Sequence, residues 1–285
     1  MNHTFLRKSF VSLTILIFCF VGLYYHVMIK LVMDWSSNDN YSHGVLIPLI
    51  AGFLIWHQKK TLSEIKLYPS NAGLLILGSG LLLLAVGNIG AELFTIRLSM
   101  IPVLLGLTIY LGGWGLGKLL LLPVGYLIFM IPIPAILWNK IAFPLKLFAT
   151  KFSVSAIQWL GIAVYREGNI IHLANTTLQV VDACSGLRSL TSLLALSGFI
   201  ALLARYSSKR KIVLFLSAIP VAILVNIIRL VITAVLAEHY DQRVAEGFLH
   251  DFSGILVFLL ALLCLYGVHS LLEGTSAKST NVDAT

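Results

Sequence analysis

Apolar runs of about twenty residues, separated by short loops rich in lysine and arginine, recur from one end of this chain to the other. Crossing the hydrocarbon of a bilayer takes about 20 apolar residues in helical form. Runs near that length fall at 9–29, 41–57, 71–90, 97–114, 118–135, 187–205, 212–236 and 251–271. A backbone inside lipid must satisfy its own hydrogen bonds, which makes each run an α-helix. Composition agrees: 58% of the 285 residues are hydrophobic and 11% charged, against roughly 25% charged in soluble domains. The expected fold is therefore an all-α membrane protein, a polytopic bundle of about eight transmembrane helices. The second run is short and contains Pro48, and the fifth ends in Ile131-Pro132-Ile133-Pro134, where a helix should break.

The formal net charge of +8 sits mostly in the loops, where it sets topology instead of binding nucleic acid. Arg7 and Lys8 precede the first run, Lys59, Lys60 and Lys66 follow the second, and Lys118 follows the fourth. Arg205, Lys209, Arg210 and Lys211 separate the sixth and seventh. The positive-inside rule puts these ends, and both termini, in the cytoplasm. Opposite them lie Asp34, Asp39, Glu92, Glu167, Asp182, Glu238, Asp241, Glu246 and Asp251, nine of the twelve acidic residues. The first run, from Phe10 to about Ile29, is too long for a signal-peptide core and is expected to be retained as a span.

Residues 135–163 carry Lys140, Lys146 and Lys151 among Trp138, Phe143, Phe148, Phe152 and Trp159. That pattern suits amphipathic helices lying in the outer interface with lysines at headgroup level. A pair of extra crossings is the alternative and leaves the remaining topology unchanged. The β-branched stretch Ile170–Val181 suggests a small extracytoplasmic hairpin. Residues 1–272 then form one membrane domain, followed by a small, polar, disordered cytoplasmic tail at 273–285. Trp35, Trp56, Trp114, Trp138 and Trp159 mostly fall near the expected interfaces, as an aromatic belt does.

Three cysteines cannot build a disulfide framework. Cys19 and Cys264 lie within apolar runs and are expected to be inert packing residues. Cys184, in Val181-Asp-Ala-Cys184-Ser-Gly-Leu-Arg188, has polar neighbours. Asp182 or Ser185 can cap the helix that follows, and the positive end of a helix lowers a thiol's pKa toward the reactive thiolate. Arg188, one turn into that helix, can pair with Asp182 or meet an acidic substrate group. Arg229 stands among apolar residues in Asn226-Ile-Ile-Arg229-Leu-Val-Ile. Eight residues before Glu238, it falls about 12 Å below the helix end, where lipid exposure is expensive. Asn226 is expected to orient its guanidinium. His250, in Phe248-Leu-His250-Asp251-Phe-Ser-Gly254, brings a near-neutral pKa suited to proton transfer, with Asp251 as cap or imidazole partner. His43, in Tyr41-Ser42-His43, is placed on the same outer face, at a substrate entrance or as an interfacial anchor.

Thiol, guanidinium and imidazole at the outer ends of three successive spans suit acyl transfer. Cys184 would attack a peptide carbonyl, Arg229 would stabilise thiolate or oxyanion, and His250 would protonate the leaving amine. No cofactor is required. His-Glu-x-x-His is absent, and Cys184, His250 and Asp251 make a poor zinc set, so no metal is expected.

These residues carry a family resemblance. Tyr41-Ser-His-Gly44, Pro132-Ile-Pro134, Arg166-Glu-Gly-Asn169, Ala183-Cys-Ser-Gly-Leu-Arg188, Asn226-Ile-Ile-Arg229 and His250-Asp-Phe-Ser-Gly254 occur in order along the chain. In this the chain resembles the exosortases, of the exosortase/archaeosortase family of membrane cysteine transpeptidases. The resemblance implies a catalytic trio of Cys184, Arg229 and His250 and a site facing the periplasm of a bacterial inner membrane. It also implies membrane-tethered protein substrates with a C-terminal sorting signal: a Pro-Glu-Pro-type motif, one transmembrane helix and a basic end. Members often serve bacteria that make exopolysaccharide. The rival reading is a transporter or polysaccharide-export accessory protein without catalysis, which predicts midplane ionisable residues and paired halves.

Overall fold

The computed structural model describes residues 3–174, 176–180, 187–204, 207–239 and 248–282. The chain divides into two compact units, Met1–Pro132 and Ile133–Thr285.

The first unit runs through α1 (His3–Ser37), a 3-10 turn (Asp39–Val45), α2 (Leu46–His57) and α3 (Lys59–Glu64). It continues with α4 (Ala72–Ile89), α5 (Leu93–Leu98), α6 (Met100–Gly125) and a second 3-10 turn (Tyr126–Met130). Two contacts with the end of α1 fix its layout. Arg97, in α5, pairs with Asp34, and the Trp35 indole donates to the carbonyl of Met130 at 2.9 Å. Residues 97 and 130 thus meet adjacent residues of α1, whereas a straight helix would hold them about 50 Å apart. The chain between them must double back. It does so at Gly113, whose φ of 82° and ψ of −176° belong to a region essentially reserved for glycine. Beside that bend, the amide of Tyr68 donates to the carbonyl of Gly112 at 3.3 Å. The expected spans 97–114 and 118–135 are therefore the two arms of one hairpin.

The first arm packs against α4 through glycines seven residues apart. Gly73 lies on the backbone of Gly106 and Tyr110, Gly80 on Val103, and Gly87 on Ile96. A seven-residue spacing keeps one face of each helix on its partner, and the missing side chains let the backbones approach closely, as small residues do between membrane helices. The result puts Lys59, Lys60, Lys66 and Lys118 toward the end of the unit that holds the Gly113 bend. Asp34, Glu92 and Arg97 gather at the other end. This is the charge alternation the loops imply.

Among the described residues, five helical stretches are long and apolar enough to cross a membrane: Thr14–Ser37, Ala72–Ile89, Leu93–Met130, Ser208–Glu238 and Gly254–Glu273. Eight were expected. The third stretch is the folded hairpin and accounts for two of them. The sixth run is present only as a shorter apolar helix, Leu190–Leu203. The second contains the 12-residue α2, because residues 39–45 wind as a 3-10 turn with Pro48 just beyond it.

The second unit comprises α7 (Ala135–Trp159), strands β1 (Val164–Glu167), β2 (Ile170–Leu173) and β3 (Thr177–Gln179), and helices α8 (Leu187–Leu203), α9 (Ser208–His239) and α10 (Phe248–Val282). α7 differs from the expected interfacial helices. It is one continuous helix, and its buried residues meet successive levels of α9. Ala142 shares a core with Ala218, Val221, Ala222 and Val225. Ala149 shares one with Leu230, and Ile157 one with Ala234 and Ala237. A helix lying flat across a spanning helix touches it at one level only, so α7 runs alongside α9 and parallel to it. The expected hairpin is a three-stranded antiparallel sheet in the order β1-β2-β3. Its Ile171, Leu173 and Val180 pack on the last third of α9 and on α7. Helical backbone continues to Val282, past Glu273, where the polar tail begins.

Gly113→Ala should lower stability by about 3 kcal/mol, since it forces an alanine into a glycine conformation and drives a methyl into the Tyr68 carbonyl. Gly115→Ala, whose methyl would meet only Ile65 at 3.7 Å, should change it by less than about 1 kcal/mol. Thermal unfolding of the purified protein in detergent separates the two.

Candidate functional site

Three helix ends meet in the second unit because the connections between helices are short. Only residues 204–207 link α8 to α9, and residues 240–247 link α9 to α10, so each successive pair is antiparallel. The starts of α8 and α10 therefore lie at the same end as the finish of α9. The Ser197 hydroxyl, 3.3 Å from the carbonyl of Phe215, sets the register between α8 and α9. Followed along the pair, it brings Leu187 level with about Val225, and Leu190, Leu193 and Val225 do share one core. Val257, Ala261 and Leu265 of α10 belong to the same core, about two and a half to five turns below the start of that helix.

Arg229 lies one turn beyond Val225, half-buried and engaged within the protein. It stands ten residues, about 15 Å of helix, before the end of α9 at His239. α9 has 32 residues, about 48 Å of helix against about 30 Å of hydrocarbon, so its end is not the membrane surface. The sheet is seated on Leu230, Ala234 and Ala237. Arg229 stands one residue before the first of these contacts, Leu230.

Asn226 departs from expectation. Its side chain is 1% exposed, and neither Nδ2 nor Oδ1 has a hydrogen-bond partner. It does not bracket the guanidinium of Arg229. Asp182, Cys184 and Ser185 lie outside the described residues. Arg188 stands in the first turn of α8, and His250 and Asp251 in the first turn of α10; their side chains lie outside the description. Cys264 packs beside the shared core, whereas Cys19 is exposed on α1.

His43 belongs to the first unit, in the 3-10 turn before α2. Burial pushes its pKa below the ordinary histidine value, and a hydrogen bond to the backbone of Phe129 partly opposes this. The ring is thereby neutral at neutral pH and tied to the second 3-10 turn.

A polar cluster that the sequence reading passed over lies at the same end of this unit. The Arg97 guanidinium is 3% exposed and stands 2.5 Å from the Asp34 carboxylate, itself 41% exposed. The Tyr24 hydroxyl meets Ser99 Oγ at 2.8 Å. Glu92 caps α5 by accepting from the amides of Phe94 and Thr95. The signal was an arginine inside Leu93-Phe-Thr-Ile-Arg-Leu98. Trp35, counted with the aromatic belt, is instead a buried strut of this end.

Apolar helices with polar residues collected at the shared end of three of them define an integral membrane protein whose polar chemistry belongs at a boundary of the lipid. The sequence model of the transmembrane exosortase family matches residues 35–267, and the chain belongs to that family. Searches of curated proteins and of solved structures returned no match.

Asp34→Ala, which strips a buried guanidinium of its counter-ion, should lower stability by about 2–3 kcal/mol, whereas Arg97→Met should be closer to neutral. Both are read from thermal unfolding. The Thr95 side chain and the amides of Phe94 and Thr95 hold the Glu92 carboxyl below its ordinary value of 4.5. Its cap therefore stabilises fully above that value and is lost as pH falls through the lower folded pKa. Acid titration of wild type should show this loss, and Glu92→Gln should lack it.

Proposed function

We propose that this chain is a membrane-embedded cysteine protease or transpeptidase that cleaves the C-terminal sorting tails of exported proteins. The observation that carries the reading is the family match over residues 35–267, a span that includes Cys184, Arg229 and His250. The common end shared by α8, α9 and α10 supports it, because one residue of the trio belongs to, or just precedes, each helix there.

In this mechanism the Cys184 thiolate, favoured by the positive end of α8, adds to the scissile carbonyl carbon. Arg229 offsets the negative charge that builds on the carbonyl oxygen. The carbon–nitrogen bond breaks as His250 delivers a proton to the departing amine, leaving a thioester on Cys184. A water molecule or an acceptor nucleophile then gives its proton to His250 and attacks the thioester, which restores the thiolate and the protonated imidazole. Arg188, Asp182, Ser185 and Asp251 support these groups. The site faces the periplasm of a bacterial inner membrane, with the sheet on that side. A substrate anchored by one transmembrane helix with a basic cytoplasmic end offers its Pro-Glu-Pro-type motif at that surface. Transfer to a cell-surface acceptor completes the reaction.

Co-expression with a reporter carrying such a tail tests the proposal. Cys184→Ala should abolish processing and accumulate the full-length reporter, and His250→Ala should do nearly the same. Arg229→Leu should slow processing by about 10²–10³-fold. A thioester on Cys184 captured by hydroxylamine-sensitive labelling is the direct signature. Normal function in Cys184→Ala would instead favour a transporter or an export accessory protein.

A further inference from the structure

Asn226 is the one buried side-chain amide in α9, and both its polar atoms lack partners. Ser153 Oγ in α7 is likewise buried without a partner, but two other buried hydroxyls of these helices are satisfied. The Thr150 hydroxyl donates to the carbonyl of Lys146, and Ser197 donates to those of Leu194 and Phe215. A helix interior always offers a carbonyl one turn back, so a lone hydroxyl is easily satisfied. A carboxamide carries two donors and an acceptor in one plane and needs a partner with both functions. Leaving both unmade in a buried position destabilises the protein, while an apolar side chain of the same shape would avoid the penalty.

The position gives this penalty a direction. Asn226 stands one turn before Arg229 and level with the start of α8, whose positive end faces the same side of the bundle. A positive helix end and a guanidinium suit a developing oxyanion, but neither offers an acceptor. The amide supplies what they lack. Its complement is a peptide group, which presents one acceptor and one donor in a plane. A phosphate or carboxylate would satisfy only Nδ2, and an acyl chain neither atom. Access follows from the same burial: the helix ends around Asn226 must part as a chain enters, and the amide then bonds its peptide without competition from bulk water.

We propose that Asn226 clasps a backbone peptide group of the substrate beside the scissile bond, as a substrate-binding residue and not a bracket for Arg229. The inference rests on the proposed peptidase activity. The test uses the full-length chain in detergent and a synthetic peptide bearing the Pro-Glu-Pro-type motif, with amide-to-ester replacement walked along its backbone. Asn226→Leu should retain or raise the unfolding temperature of the unloaded protein and raise KM about tenfold to a hundredfold, with a smaller change in kcat. Wild type should lose affinity at one ester position, and Asn226→Leu should show no further loss there. Asn226→Ser takes its place if the leucine variant does not accumulate. A lower unfolding temperature with unchanged KM, the result expected of a buried water held by the amide, would overturn the inference. So would ester effects that add fully to the substitution. If Cys184→Ala still processes the peptide, the peptidase reading itself falls; if it does not and Asn226→Leu behaves as wild type, only the clasp falls.

Discussion

A helix of 32 residues is longer than the lipid it crosses, and the surplus of α9 organises everything built on it. About 20 residues take α9 through the hydrocarbon. The remainder, from about Arg229 to His239, needs protein or water around it. β1, β2 and β3 meet that need by laying Ile171, Leu173 and Val180 against Leu230, Ala234 and Ala237. α7 follows the same helix along its length, so the sheet that succeeds it is delivered to the far end of α9 and nowhere else. α8 has only 17 residues and starts level with about Val225 of α9. Arg229 stands one residue before the first of these contacts, where the sheet begins to cover α9.

The first unit obeys a different constraint, the closeness of α4 to the first arm of α6. Gly73, Gly80 and Gly87 remove side chains from one line of α4, and van der Waals contact between backbones replaces the hydrophobic driving force that lipid cannot supply. The bend at Gly113 returns the chain to the end of α1, where Asp34 and Trp35 hold both arms. Tying both arms to neighbouring residues makes this end rigid. His43 and its turn rest on it through Phe129.

Much of this was readable beforehand. The apolar runs located every long helix except α7, and the polar residues near the starts of the sixth and eighth runs marked one end of the second unit. The glycine seam was equally available at positions 73, 80 and 87, but a seven-residue spacing of glycines is easily taken for random lipid-phase composition. Arg97 carried the same signal as Arg229, a charge among apolar residues, without a motif around it. α7 was misread because its lysines and aromatic residues look interfacial whichever way the helix points. Its hidden face of Ala142, Ala149, Ser153 and Ile157 marks a partner helix, yet small residues name no particular one.

Hydropathy and charge alone determined the solvent, the helical class and the end at which polar chemistry collects, because the energies of moving apolar and charged groups between water and lipid are large and local to each segment. Tertiary structure alone decided how far along α9 the sheet sits, that spans four and five form one hairpin, and that Asn226 is buried with nothing to bond. Depth and partnership depend on which helices pack together and in what register, and that is a property of pairs of segments that no single stretch of sequence contains.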